Sequence, residues 1–359
     1  MKLLTVGPDN IYTYDTVKEF FASFELGPKD LLVSIEVIYK QFLEPYANGA
    51  NVILVDKYGA QEPTDVMIDE FMDMSKVVAV AGGASIDDVI DHLPDFKRSV
   101  RLVLVPTTCG TGSEVTEIAA INRTRLGCKA GIAGPEMFAD DAVLVPELLY
   151  GLPDHVFATS SLDALVHSVE STLSPNSTPY TRMFGYEAMK MIISGYKAVA
   201  EAGPAGSPER RAKRNELMRD FLIASDYAGI SFDTGGCAAV HALSYQLGGK
   251  YHVPHGESNY AMFTGVLRNY MEIKPEGEIL KMNQFIADIL GCDVADVYDA
   301  LETLINKLLP KKALHEYGVT EQDLPEFADR VIKTQERLMK NCFVPLDYDR
   351  VLKIFKELY

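Results

Sequence analysis

The sequence is poor in positive charge and has no cluster of Lys and Arg. It contains 34 Lys and Arg residues against 51 Asp and Glu residues, which gives a formal net charge of -17. A field of this sign repels the phosphates of nucleic acids and anionic lipid headgroups. We therefore expect neither nucleic acid nor a membrane among its partners.

Long apolar stretches are also missing. The first apolar run stops at Gly7-Pro8 and is too short for a signal peptide, and no segment approaches the roughly 20 apolar residues of a membrane span. The five cysteines are scattered and include no CxxC pair, so they favour reduced thiols over disulfides or a zinc-thiolate clamp. We expect a cytoplasmic protein.

The first part of the chain alternates short apolar runs with segments of helical spacing. The chain has 359 residues, more than one core usually organises, so we expect two domains. Continuous apolar runs are typical of parallel strands that are covered on both faces. Residues 1–153 are therefore predicted to form a Rossmann-like α/β domain that binds a dinucleotide. The predicted strands are 31–35, 51–55, 77–81 and 102–105, and helical spacing marks 37–46 and 65–74.

Strand-like runs almost vanish after Pro153. Residues 154–359 are predicted to form an all-helical, metal-binding domain, with the most loop-like stretch at 201–208. The predicted helices are 157–172, 180–201, 208–228, 278–290, 294–308 and 324–339.

Two polar turns follow successive predicted strands. The first is Gly82-Gly83-Ala84-Ser85, and the second is VPTTCGTGSE at 105–114. Backbone N–H groups at such turns, before a helix, bind anions. Each turn alone also fits a simpler role, a strand-ending glycine pair or a Ser/Thr-capped helix start. Together they favour one extended polar ligand such as a dinucleotide.

A carboxylate and several imidazoles point to a metal. Asp163 and His167 stand four residues apart on a predicted helix and share one face, although an ion pair would explain them if they stood alone. His241 lies in a segment of small residues, and the turn around Pro254 carries His252 and His255. One carboxylate with three imidazoles suits Fe²⁺ or Zn²⁺ and is too rich in nitrogen for Mg²⁺ or Ca²⁺.

Four segments resemble the iron-containing, or group III, alcohol dehydrogenase family. They are GGASIDD, VPTTCGTGSEVT, SSLDALVHSVES and VHALSYQLGGKYHVPHG, and the similarity runs from about residue 30 to 350. The resemblance implies an α/β fold with a Rossmann-like parallel-sheet domain followed by an all-helical domain, as in dehydroquinate synthase. It also implies a divalent metal, iron or zinc, and NAD as cofactors. We expect a homo-oligomer, a dimer.

The resemblance assigns roles to particular residues. The metal ligands would be Asp163, His167, His241 and His255. An acidic side chain after a strand favours the free 2′-hydroxyl of NAD over the phosphate of NADP, and Glu36 is the candidate. The expected cofactor contacts are Glu36, Gly82, Gly83, Ser85, Asp88, Thr107, Thr108, Thr111 and Lys129.

The sequence departs from the family at Tyr245. Members usually have a second histidine four residues after the first of the two later metal histidines, where it takes part in proton relay. Tyr245 can pass a proton or bind a substrate carboxylate, or it can simply pack. His252 is then a candidate for proton exchange with solvent. Lys250 can bind a remote carboxylate, or it is a solvated loop lysine.

Within the family, KYHVPHGESN is most similar to the members that act on 4-hydroxybutyrate. We therefore predict hydride transfer between NAD(H) and a primary alcohol or aldehyde, with 4-hydroxybutyrate and succinate semialdehyde as the substrate pair. The alternatives are a simple short-chain alcohol or diol, or a dehydroquinate synthase-like lyase. The lyase would need a basic cluster for a phosphorylated substrate, and none lies near these motifs. A non-catalytic nucleotide-binding protein would leave the four candidate ligands unexplained.

Overall fold

A computed structural model describes residues 7–58, 64–68, 100–126 and 128–359, with the backbone alone for 120–123, 126 and 128–132. The chain divides into two compact units. The first comprises Gly7–Thr107 and Ser113–Tyr150. The second comprises Gly151–Tyr359 together with the short segment Thr108–Gly112.

The first unit contains all the described strands. Three form a parallel sheet in the order β1-β7-β4, and β2 pairs in parallel with β3. β5 and β6 form an antiparallel hairpin. The strands are β1 Asn10–Thr13, β2 Leu31–Ser34, β3 Asn51–Leu54, β4 Val103–Leu104, β5 Ile118–Arg123, β6 Cys128–Ala133 and β7 Asp141–Leu144.

The central strand β7 has the burial that is typical of a parallel sheet. All four of its residues are buried, as expected for a strand that is covered on both faces. Two short helices accompany the strands, α1 Val17–Ser23 and α2 Glu36–Ile38, and helical turns continue from α2 to Tyr46. α1 begins with a capping box in which Thr16 and Glu19 satisfy each other's backbone N–H groups.

The second unit is helical, and residues 151–359, all of them described, contain no strand. The predicted α/β fold class is confirmed. The helices are α3 Asp154–Leu173, α4 Pro179–Glu201, α5 Pro208–Glu216, α6 Met218–Gly235, α7 Ala239–Tyr251, α8 His255–Ile273, α9 Glu278–Leu290, α10 Val297–Ile305, α11 Asp323–Thr334, α12 Glu336–Met339 and α13 Tyr348–Leu358.

Helix α3 lies at the centre of this unit. Every residue from Ser161 to Leu173 is buried, and the helix packs against α4, α6 and α8. A helix that is buried on all sides has no solvent-facing stripe, so its polar side chains must find partners inside the protein. Among the described residues, no helix is both long enough and apolar enough to cross a membrane.

The structure differs from the sequence-based prediction in several elements. The predicted strands at 31–35, 51–55 and 102–105 are β2, β3 and β4, whereas the strand at 77–81 and most of the helix at 65–74 lie outside the described residues. The predicted helix 208–228 is two helices, which meet at Leu217, and 324–339 is also two. The hairpin β5–β6 was not predicted.

Candidate metal centre

Three helices of the second unit bring the four predicted metal ligands together. Asp163 and His167 stand one turn apart on α3, and both are buried. His241 lies in the first turn of α7, and His255 begins α8. The side chains of His241 and Asp163 are almost wholly enclosed, while that of His255 is 30% exposed and is the one that solvent reaches.

One carboxylate oxygen is the centre of this cluster. Asp163 Oδ1 lies 3.5 Å from Nε2 of His241 and 3.5 Å from Nε2 of His255. Nε2 of His167 is 3.8 Å from the same oxygen. In a tetrahedral site with bonds of about 2.1 Å, neighbouring ligand atoms lie about 3.4 Å apart. The ligand atoms of Asp163, His241 and His255 lie within 4.8 Å of one another, which fits a common divalent ion, and His167 does not belong to that set of three.

The amide of Asn259 marks the position between the donors. Its Nδ2 donates to Asp163 Oδ1 at 2.7 Å and lies 3.3 Å from His241 Nε2 and 3.4 Å from His255 Nε2. One carboxylate oxygen and two imidazole nitrogens thus lie around a single amide nitrogen. Since a carboxylate oxygen and an unprotonated imidazole nitrogen are also atoms that bind a cation, this donor set fits a metal.

Glu170 orients His241 from behind. It lies on α3 and is buried, and its carboxylate contacts His241 Nδ1 at 2.7 Å. The same carboxylate accepts the backbone N–H groups of Ala238 at 2.9 Å and Val240 at 2.5 Å, where α7 begins. With Nδ1 protonated and held, Nε2 presents its lone pair to the cluster, as in carboxylate–histidine–metal arrangements.

Sequence reasoning did not single out Glu170, although a signal was present. Glu170 follows His167 by three residues in SSLDALVHSVES, so it lies near the same face of α3. An acid in an otherwise apolar helix needs a partner, and a metal-binding histidine is a suitable one.

The electrostatics of the cluster favour a cation. Burial by itself raises the pKa of Asp163, but His167, His255 and His241 together hold that pKa below its usual value. Asp163 is therefore ionised while deeply enclosed. The imidazole of His167 stacks on that of His241 with centroids 4.7 Å apart and on Phe232 at 4.3 Å, so its ring plane is fixed.

Tyr245 lies beside the cluster, as its spacing from His241 predicts. Its ring centroid is 6.5 Å from that of His241 and 5.9 Å from that of His255. Burial raises the pKa of the Tyr245 phenol. A phenol of this kind keeps its proton at neutral pH, so it can donate a hydrogen bond but is a poor general base.

His252 and Lys250 lie differently from Tyr245. His252 ends α7 in the left-handed conformation with φ 54°, and its exposed side chain is not part of the cluster. Lys250 makes a hydrogen bond to Asp323 and lies 3.5 Å from Glu326. Its charge is therefore already balanced by two carboxylates, which favours the structural alternative over binding of a substrate carboxylate.

The predicted cofactor contacts are described only in part. Glu36 begins α2, two residues after the end of β2, and its carboxylate lies 3.8 Å from Lys57 Nζ. Thr107 and Thr108 are half-buried after β4, and Thr111 is exposed. Four of the residues, Gly82, Gly83, Ser85 and Asp88, lie outside the described residues. Lys129 pairs with Asn122 in the hairpin, and its side chain is not described.

Comparison with known proteins identifies relatives along the whole chain. Residues 70–146 match the model of the iron-containing alcohol dehydrogenase family, and residues 157–359 match the model of the C-terminal part of the Fe-containing alcohol dehydrogenase family. A 4-hydroxybutyrate dehydrogenase from Clostridium kluyveri is 42% identical over 100% of both chains. A sulfoacetaldehyde reductase from Bilophila wadsworthia is 33% identical over 72% of this chain and 66% of its own.

A solved structure has the same fold. It is a sulfoacetaldehyde reductase from Bifidobacterium kashiwanohense in complex with NAD⁺, and it superimposes with a TM-score of 0.81. The match covers 100% of this chain and 99% of the other at 21% sequence identity.

Proposed function

Because the chain belongs to the iron-containing alcohol dehydrogenase family, we propose that it oxidises 4-hydroxybutyrate to succinate semialdehyde with NAD⁺ and catalyses the reverse reduction. The convergence of Asp163, His167, His241 and His255 carries this proposal for the chemistry. The 42% identity to the 4-hydroxybutyrate dehydrogenase supports the choice of substrate.

We propose Asp163, His167, His241 and His255 as ligands of a divalent metal, Fe²⁺ in the working enzyme. Such an ion can lower the pKa of a bound hydroxyl by up to roughly nine units, about 12 kcal/mol of alkoxide stabilisation. Zn²⁺ ranks above Fe²⁺ in intrinsic affinity for these donors, so purified protein can carry zinc.

The chain's own residues supply the other parts of the reaction. Glu170 holds His241 with Nε2 directed at the cluster, and the enclosure of Asp163 keeps competing water away from its oxygens. The alcohol loses its hydroxyl proton and then a hydride, and these leave as H⁺ and as the reduced nicotinamide. Tyr245 is placed to donate a hydrogen bond to the substrate, either to its reacting oxygen or to its carboxylate.

We propose NAD(H) as the hydride carrier, bound at the polar turns that follow the strands of the first domain. Ligands of open α/β sheets bind at the carboxyl ends of the strands, where Thr107 and Thr108 follow β4. Glu36 favours NAD over NADP, because a carboxylate repels the 2′-phosphate. A higher kcat/KM with NADPH than with NADH would contradict this preference.

We also make proposals about the domains, the assembly and the location of the protein. We propose residues 1–153 as the dinucleotide-binding domain and 154–359 as the metal-binding domain. We also propose a dimer, since β1 lies at the edge of the described sheet with Ile11 and Tyr12 45% and 37% exposed. Among the cysteines whose side chains the structure describes, none forms a disulfide, which suits the cytoplasm. Light scattering of the full chain would test the dimer.

A pair of matched substrates tests the proposed reaction. 4-Hydroxybutyrate and 1-butanol have the same four-carbon chain and the same reacting hydroxyl, and only the first has a carboxylate. With the Fe²⁺-loaded full chain and NAD⁺, we expect a kcat/KM at least tenfold higher for 4-hydroxybutyrate, about 1.4 kcal/mol. Equal or higher values for 1-butanol or 1,3-propanediol would assign the enzyme to simple alcohols or diols. No NADH formation from any of the three would contradict an alcohol dehydrogenase.

A further inference from the structure

A cysteine lies close to two ligands of the proposed metal centre and has no role in the scheme above. Cys237 is half-buried and comes just before α7 begins. A ligand atom from each of Cys237, His167 and His241 lies within 4.8 Å of the other two. These three residues form the thiol triad. Asp163, His241 and His255 form a second set under the same distance limit, here called the carboxylate triad.

The backbone on both sides of Cys237 is fixed. Its carbonyl oxygen accepts a hydrogen bond of 2.9 Å from Asn341 Nδ2. The N–H of the next residue, Ala238, donates to Glu170 at 2.9 Å. Glu170 also contacts His241 Nδ1, so one carboxylate holds both the backbone next to Cys237 and the imidazole of His241. The thiol is therefore held beside the two imidazoles.

The two triads share one residue, His241. His241 Nδ1 is engaged by Glu170, so only Nε2 of this histidine is available to a metal. One nitrogen lone pair binds one ion, so both triads cannot be filled at the same time. The triads also differ in chemistry. The thiol triad offers one sulfur and two nitrogens and suits thiophilic ions, while the carboxylate triad offers one oxygen and two nitrogens.

We propose that Cys237 is an additional metal ligand, which gives thiophilic divalent cations a position of their own that excludes occupancy of the carboxylate triad. Zn²⁺, Cd²⁺ and Co²⁺ bind the thiol triad as well, with Cys237 giving up its proton to solvent on coordination. This inference rests on the proposed metal centre.

Absorption of the cobalt- and cadmium-loaded full chain tests the proposal without any measurement of activity. Thiolate coordination produces sulfur-to-metal charge-transfer absorption in the ultraviolet, and bound Co²⁺ also gives visible ligand-field bands whatever its ligands. We expect both kinds of absorption in the unmodified protein. Cys237→Ser and Cys237→Ala should lose the charge-transfer absorption and keep the ligand-field bands. The matched control Cys292→Ser, whose thiol lies in the loop after α9, should keep both.

The affinity of the same variants should change for some metals and not for others. We expect Cys237→Ser to lower the affinity for Zn²⁺ at least tenfold and to leave that for Mn²⁺, which prefers oxygen ligands, unchanged. Ligand-field bands without charge transfer in the unmodified protein would overturn the role of Cys237 and leave the metal centre standing. Charge-transfer absorption that survives in both Cys237 variants would also overturn the role of Cys237 and leave the metal centre standing. Absence of bound cobalt and cadmium would overturn the metal centre and this inference together.

Discussion

At the residue scale, the structure assigns the largest supporting role to Glu170. Replacing it with Gln removes the negative charge that faces His241 Nδ1 and weakens the acceptor for two backbone N–H groups. We expect metal affinity to fall 10- to 100-fold, as is usual when the partner of a metal-binding histidine is lost. Competition with a chromogenic chelator would measure the change.

A second glutamate provides the control for this substitution. Glu272 on α8 also accepts hydrogen bonds, from Arg350 at 2.7 Å and Lys353 at 2.8 Å, but it is half-exposed and far along the helix from His255. Glu272→Gln should leave metal affinity unchanged. If Glu170→Gln binds the metal as tightly as Glu272→Gln does, Glu170 is only a helix cap.

Tyr245 lies beside the candidate ligands His241 and His255 and has two candidate roles. Tyr245→Phe removes the hydroxyl and keeps the ring beside His241 and His255. We expect kcat/KM for 4-hydroxybutyrate to fall about tenfold, or about 1.4 kcal/mol, and to fall less for 1-butanol if the hydroxyl binds the carboxylate. Steady-state kinetics on both substrates would distinguish the two roles.

Tyr251 on the same helix is the control for Tyr245. Its hydroxyl donates to Asp323 at 2.6 Å, so Tyr251→Phe should cost about 1 kcal/mol in unfolding free energy and leave kcat/KM unchanged. Unchanged kinetics in both variants would make Tyr245 a packing residue.

Glu114 makes the stability of the first unit depend on pH. Burial raises the pKa of this carboxyl from 4.5 to about 7, and among the described residues its Oε1 has no hydrogen-bond partner. Between these values the folded form keeps a proton that the unfolded chain has lost. The free energy by which neutral Glu114 stabilises the folded form is therefore complete below about pH 4.5 and is lost as the pH rises through 7.

Glu114→Gln should abolish this dependence. We expect the variant to be more stable than the unmodified chain at pH 8, by up to about 3 kcal/mol, and similar to it at pH 4.5. Denaturant unfolding across this range would measure the difference. The exposed Glu25→Gln serves as control, and a Glu114→Gln curve parallel to that of Glu25→Gln would contradict the account.

The candidate ligands were predictable from the sequence because their signals are local. Asp163 and His167 share a helix face through their spacing, and His241 and His255 stand in segments that resemble a known family. Asn259 and Cys237 were not predicted as parts of the cluster. Their approach depends on how α3, α7 and α8 pack, and sequence spacing does not encode the distance between helices.

At the element scale, the close contact of α8 with α3 positions His255. A Cβ on Gly256 would overlap with the carbonyl oxygen of Thr159. Gly256→Ala should separate the two helices, destabilise the fold by about 1–3 kcal/mol and lower metal affinity, because His255 is the preceding residue. Thermal unfolding with and without metal would measure both effects.

Gly249 is the matched control for this change. It lies within α7 and would gain a Cβ with no atom within 4 Å. Gly249→Ala should be neutral or stabilise the protein by up to about 1 kcal/mol. Equal stability and equal metal affinity in the two variants would show that the α3–α8 contact does not position His255.

The elements themselves were predicted unevenly, for physical reasons. The apolar runs of β2 and β3 and the long helices stand out because their pattern covers the whole element. The break at Leu217 has no Gly or Pro to mark it. The hairpin β5–β6 is formed by IAAINR and CKAGIA, which show no regular alternation of apolar and polar residues.

At the scale of the whole molecule, the segment Thr108–Gly112 belongs with the helices although it follows a strand. A Cβ on Gly110 would lie 2.6 Å from the carbonyl oxygen of Ser160 on α3, so this turn packs tightly on the helical unit. The sequence places a polar turn here, but only long-range packing decides which unit holds it.

The central claim is that one metal ion per chain, held by Asp163 and the three histidines, is required for the oxidation of 4-hydroxybutyrate. The most direct measurement is the initial rate of NADH formation while Fe²⁺ is added under argon to metal-free protein. We predict a rate that rises linearly and reaches a plateau at about one equivalent per chain, and no rise in Asp163→Ala. A full rate in the metal-free protein, or an Asp163→Ala variant that responds as the unmodified chain does, would contradict the claim.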